Sequence, residues 1–102
     1  MWMSNKLFLF RLLPPRPDFA QTMAPDEQEA MARHAAYWHQ LLEAGRVVVY
    51  GPVADPEGVW GLGVLRADSQ AEAVEVGQQD PVVAAGVATF DVAEIMGAIT
   101  AT

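Results

Sequence analysis

The stretch "RVVVYGPVADPEGVWGLGVLRA", residues 46–67, constrains the fold more than any other. It holds two β-branched, apolar runs, and "ADPEG" between them is turn chemistry, so the pair reads as an antiparallel hairpin. Gly61 and Gly63 fall on one face of the second strand. Glycine weakens a strand, so a pair on one face marks a place where another group approaches closely.

What flanks the hairpin completes the pattern. Residues 6–13, "KLFLFRLL", read as a strand with Phe8 and Phe10 on one face and Leu7 and Leu9 on the other. "PPRPDFAQTM" follows as a turn or extended loop, since prolines neither donate to a ladder nor continue a helix. Residues 25–44 read as a helix: Pro25 suits the first position, and Asp26, Glu27 and Glu29 complement the positive end of the dipole. Met31, His34, Trp38 and Leu41 form its inward stripe, and Gly45 ends it. Ser69 and Glu72 form a capping box opening a second helix through about Gln79. Asp80-Pro81 then caps a short turn that Gly86 ends, and "VATFDVAEIM" is the last strand. The order β-α-β-β-α-β gives an α+β, ferredoxin-like fold in one domain, residues 1–102. A four-stranded antiparallel sheet carries two helices on one face. The opposite face is also apolar, so a homodimer packed sheet to sheet is expected.

Composition narrows the function. The chain has 102 residues and no cysteine, which removes disulfides and thiol chemistry. Its net charge is −7, and Lys6, Arg11, Arg16, Arg33, Arg46 and Arg66 are scattered, against the clustered cations that a nucleic-acid backbone requires. The opening "MWMSNKLFLFRLLPP" is broken by Arg11 and two prolines, which fits neither a secretory leader nor a membrane span. A soluble, cytoplasmic protein is expected, without nucleic-acid or membrane partners.

Two histidines, His34 and His39, are the only imidazoles. They stand ~140° apart around a helix, so they cannot hold one metal together, and no metal site is expected. His39 lies off the inward stripe and reads as a rim residue. His34 lies within the stripe. It is either a satisfied core histidine or a general base that a partner orients. Asp80 is the best partner: its N-cap position explains it alone, yet this topology brings it opposite the first helix. Arg33 points ~100° away from His34. There is no phosphate loop, no dinucleotide fingerprint and no G-x-S-x-G. "GVWGLGV" lacks the basic residue and exposed aromatics of an RNA-binding strand.

"RHAAYWHQLLEAGRVVVYGPV", "GLGVL" and "DSQAEAVEVGQQDPVVAAGV" together resemble the YCII-related (YciI-like) family. The pattern runs from a helical histidine through a Gly-x-x-x-x-x-Gly-Pro strand to Asp-Pro, a glycine and the last strand. It spans residues 31–96, and the first strand fits as well. The resemblance implies a dimeric α+β barrel whose active centre is a histidine–aspartate pair, here His34 and Asp80. One member of the wider family is a dehydrochlorinase acting on a chlorinated hydroxyquinol. This chain departs in the loop "PPRPDFAQTMAPDE", so that substrate is not carried over.

The expectation is therefore a cofactor-independent lyase or isomerase, dehydrochlorinase-like, acting on a small organic molecule, with cyclic and aromatic compounds among the candidates. His34 would move the proton and Asp80 would orient its ring, with Tyr37, Trp38, Gly51 and Pro52 lining the pocket. Two alternatives stay open: a non-catalytic dimeric module that binds a small ligand or a partner chain, and a cofactor-free monooxygenase. The His34–Asp80 distance and the presence of a cavity beside the pair discriminate among them.

Overall fold

A computed structural model describes residues 6–101, so the first five residues of the segment read above as no leader lie outside the described residues. Strand β1 (Leu7–Leu13) sends Phe8, Phe10 and Leu12 to one face at the two-residue period of a strand, and all three are buried. Two prolines end it. The loop that follows contains one helical turn, α1 (Phe19–Thr22), where the sequence suggested only loop. Its reason is Phe19, which is buried and draws the segment inward.

Helix α2 (Pro25–Glu43) starts at its proline, with the Glu27 side chain accepting the Ala24 N–H at 2.8 Å. It closes in a Schellman motif: Gly45 adopts φ +77°, its N–H donates to the Leu42 carbonyl at 3.0 Å, and the Arg46 N–H donates to the Leu41 carbonyl at 2.9 Å. Strand β2 (Val47–Val53) then pairs with β3 (Trp60–Arg66), as the hairpin reading requires.

Simple alternation fails in β2. The register steps from Val47↔Leu65 to Val49↔Val64, leaving Val48 as an extra residue in a β-bulge. Val48 and Val49 are both exposed, at 41% and 47%. The bulge also returns Tyr50 to the face that carries Val47, opposite Gly63, instead of the far side of the sheet.

Helix α3 (Gln70–Gln78) opens with the Ser69 Oγ accepting the Glu72 N–H at 3.1 Å. The reciprocal half of the expected capping box is missing, because the Glu72 carboxylate pairs with Arg46 at 3.3 Å. A single turn, α4 (Pro81–Ala84), leads into β4 (Thr89–Ile95). The sheet order is β2-β3-β1-β4, antiparallel throughout. The core lies between the helices and the Phe8 face of the sheet, where Trp38, Leu65, Val76 and Val82 complete it. Trp38 reaches the sheet because Gly63 has no side chain; a Cβ there would stand 2.6 Å from the indole. None of the described helices is long and apolar enough to cross a membrane.

Candidate active site

Asp80 follows Gln79, the C-cap of α3, and is itself the N-cap of α4, so its carboxylate is fixed where the two helices meet α2. Its Oδ1 accepts the Val82 N–H at 3.1 Å, the ordinary work of an N-cap. Its Oδ2 accepts two more donors, His34 Nδ1–H and Trp38 Nε1–H, each at 2.7 Å. Asp80 is fully buried, and three N–H groups compensate the removal of its carboxylate from water. The imidazole is less enclosed, with 16% of its side chain exposed. Because Nδ1 donates to Asp80, the remaining ring nitrogen, Nε2, carries the lone pair of the neutral imidazole.

The His34 ring opens on a cavity of about 280 Å³ enclosed between α2, the proline-rich loop and the sheet. Among the described residues, no Lys, Arg, Asp or Glu lines it. Aromatic residues dominate its lining: Phe10, Phe19, Trp38, Tyr50 and Trp60. The lining residues whose side chains carry a polar atom are His34, Trp38, Tyr50 and Trp60. The Trp60 indole N–H is occupied by Asp55 at 3.1 Å, and the Glu57 N–H, helped by this bond, holds the Asp55 carboxyl below its ordinary range. A site of this kind favours an uncharged ring and orients it through few polar atoms.

The proline-rich loop supplies a wall through Pro14, Phe19 and Met23. Arg16 clasps that loop to the start of α2. Its guanidinium binds both Glu27 carboxylate oxygens, at 2.7 and 3.0 Å, and also the Thr22 hydroxyl and carbonyl. Arg16 and the Ala24 N–H lower the Glu27 carboxyl to about 2.

Of the residues singled out from sequence, His34, Trp38, Gly51 and Pro52 stand in the cavity wall, and Asp80 lies directly behind His34. Tyr37 does not line the cavity, a correction to the expectation. Its hydroxyl donates to the Val76 carbonyl at 2.7 Å, and burial, reinforced by the negative charge of Asp80, pushes its phenol up. His39 is exposed at 58% of its side chain, yet Nδ1 stands 3.2 Å from the Tyr50 hydroxyl. Arg33 is engaged by Glu29 at 2.6 Å. No group of three or more His, Asp or Glu side chains among the described residues is placed to hold a metal ion.

Sequence reasoning did not identify Tyr50, Phe19, Met23 or Trp60. It also missed the bond from the Trp38 indole to Asp80. For that bond a signal was present: Trp38 lies four positions after His34, so both point to one side of α2 and reach one acceptor. Tyr50 had no such signal, since nothing in "VVVY" marks Val48 as the bulged residue.

Fold and site together define a βαββαβ domain with a buried carboxylate holding one histidine at the edge of an apolar cavity. The YCII-related domain model matches residues 8–96, so the chain belongs to the YCII-related family. It is 37% identical over 67 residues to the uncharacterized protein YjpA of Bacillus subtilis (strain 168), covering 66% of this chain and 76% of that protein. Among solved structures, it is similar to the 5-chloro-2-hydroxyhydroquinone dehydrochlorinase TftG of Burkholderia phenoliruptrix AC1100, in complex with 2,5-dihydroxybenzoquinone. The TM-score is 0.62 at 23% identity, covering 85% of this chain and 90% of that one. A protein of unknown function from Nitrosomonas europaea, NE2512, gives a TM-score of 0.50 at 18% identity over 95% of each chain. At these identities the two structures share the fold.

Proposed function

We propose that this protein is a cofactor-independent acid–base enzyme of the dehydrochlorinase-like lyase type, acting on a small, uncharged ring compound. One observation carries the reading: the 2.7 Å bond from His34 to a buried aspartate, with the same imidazole at the wall of an apolar cavity. Asp80 fixes the tautomer, Nε2 accepts the proton, and the carboxylate stabilises the imidazolium that forms. On the ring, one hydroxyl proton first moves to the carbon that bears chlorine, giving the keto tautomer. His34 Nε2 then takes a second hydroxyl proton, and that O–H electron pair becomes a new carbonyl as the double bond shifts toward the chlorine-bearing carbon. The carbon–chlorine pair leaves as chloride, and His34 holds the proton until it passes to water. Among the described residues, the cavity wall offers no Lys or Arg to a carboxylate or phosphate, which supports an uncharged substrate.

The test uses 5-chloro-2-hydroxyhydroquinone with chloride release as the readout. The wild type should exceed the spontaneous rate, and His34→Ala should fall back to it. A wild type no faster than buffer would remove the dehydrochlorinase reading.

The nearly apolar wall favours a second reading, a module that binds a small ring without turning it over. Equal affinity in wild type and His34→Ala, with no turnover in either, would select it. In both readings the working unit is a homodimer formed through the sheet face that carries Leu9, Leu62 and Val64. Sedimentation showing a monomer at micromolar concentration would exclude that assembly.

A further inference from the structure

We propose that Trp38 is a positioning residue for His34: its indole N–H shares Asp80 Oδ2 with the imidazole and so sets how firmly His34 holds a proton. This inference rests on His34 being the base of the site.

Both donors reach the same oxygen at 2.7 Å, while the other carboxylate oxygen is taken by the Val82 backbone. Oδ2 is therefore divided between two N–H groups. Each draws on the charge that the other would otherwise receive. The partition is rigid because the indole cannot swing away: Gly63 lies against it, and the Phe10 ring packs at 4.7 Å between centroids. Asp80 is fully buried, so water does not replace a donor that is lost, and local electrostatics are strong.

The direction follows. Without the indole N–H, Oδ2 would serve His34 alone and stabilise its imidazolium more strongly, so the ring would give up its proton less readily than in the wild type. Among the described residues, no Lys, Arg, Asp or Glu lines the cavity. Tyr50 lines it with its hydroxyl 3.2 Å from His39 Nδ1, Tyr37 on α2 is bonded to Val76, and Arg33 is engaged by Glu29.

NMR of the full chain tests the proposal without any substrate. In the wild type, the Trp38 indole N–H signal should move with the same midpoint as the His34 ring. In Trp38→Phe, the His34 midpoint should rise by about one unit, the scale of a hydrogen bond to a charged acceptor. The acid limb of any rate–pH profile should rise with it. An indole signal indifferent to the His34 titration overturns the proposal. So does a folded Trp38→Phe that titrates like the wild type, because a merely structural tryptophan would change stability and nothing else. If Trp38→Phe does not fold, the wild-type indole signal decides alone. The midpoints do not depend on turnover, so failure of the chloride-release assay and failure of this inference are separate results.

Discussion

His34 Nδ1 stands 2.7 Å from Asp80 Oδ2, joining the middle of α2 to the N-cap of α4 across forty-six positions of sequence. The contact is both architectural and chemical. The aspartate that starts α4 is the acceptor that orients the imidazole, so one side chain serves the fold and the site.

Asp80→Asn should therefore lose stability and activity together. The amide keeps the size and one acceptor, but it replaces a charged acceptor of three N–H bonds with a neutral group whose NH₂ faces a donor. A loss of about 2–3 kcal/mol in denaturant unfolding is expected. Turnover should fall by about 10²-fold or more. Unchanged stability would mean that the carboxylate does not hold these three donors.

His34→Ala separates binding from chemistry. Trp38, Tyr50 and Phe10 still wall the cavity, so affinity for an uncharged ring probe such as hydroquinone should change by less than about tenfold, less than one hydrogen bond to a charged group. The rate should drop by roughly 10²- to 10⁴-fold, the usual contribution of a positioned base. Isothermal titration and steady-state kinetics on the same preparations read both.

Gly63→Ala tests the close approach beneath Trp38. A Cβ 2.6 Å from the indole cannot be accommodated without moving the ring. Overpacking of this kind costs about 1–3 kcal/mol, and here it should also disturb the indole bond to Asp80. Thermal unfolding and the indole N–H signal should change together.

The Arg16–Glu27 clasp predicts an acid-side effect of definite sign. The Glu27 carboxyl, ordinarily at 4.5, is held at about 2 in the folded protein. Its contribution is fully present above the ordinary value and is lost as pH falls through the folded value. The melting-temperature difference between wild type and Glu27→Gln should therefore shrink between about pH 5 and about pH 2. A difference constant over that interval would contradict the clasp.

Much of this was legible in the sequence for physical reasons. The strand periods, the proline at the start of α2 and Gly45 at its end are local signals, and each marks an element the structure contains. Asp80 was legible as a cap from Asp-Pro alone, and as a partner of His34 once the topology was set. The misses are of a different kind. The one-turn α1 depends on Phe19 finding the core, the side of the sheet that Tyr50 faces depends on a bulge, and Glu72 prefers Arg46 to its own N-cap. Each is a tertiary choice among locally equivalent conformations. Tyr37 failed for a similar reason: its helical position allowed the cavity, but the Val76 carbonyl took its hydroxyl.

The central claim is that Asp80 holds His34 in the form whose Nε2 can take a proton. Nitrogen-15 NMR of the His34 ring, recorded above its titration in the wild type, tests it most directly. The account predicts a single neutral tautomer with the proton on Nδ1 and an unprotonated Nε2 that responds to hydroquinone. A neutral ring protonated on Nε2, or an even mixture of the two forms, would contradict it.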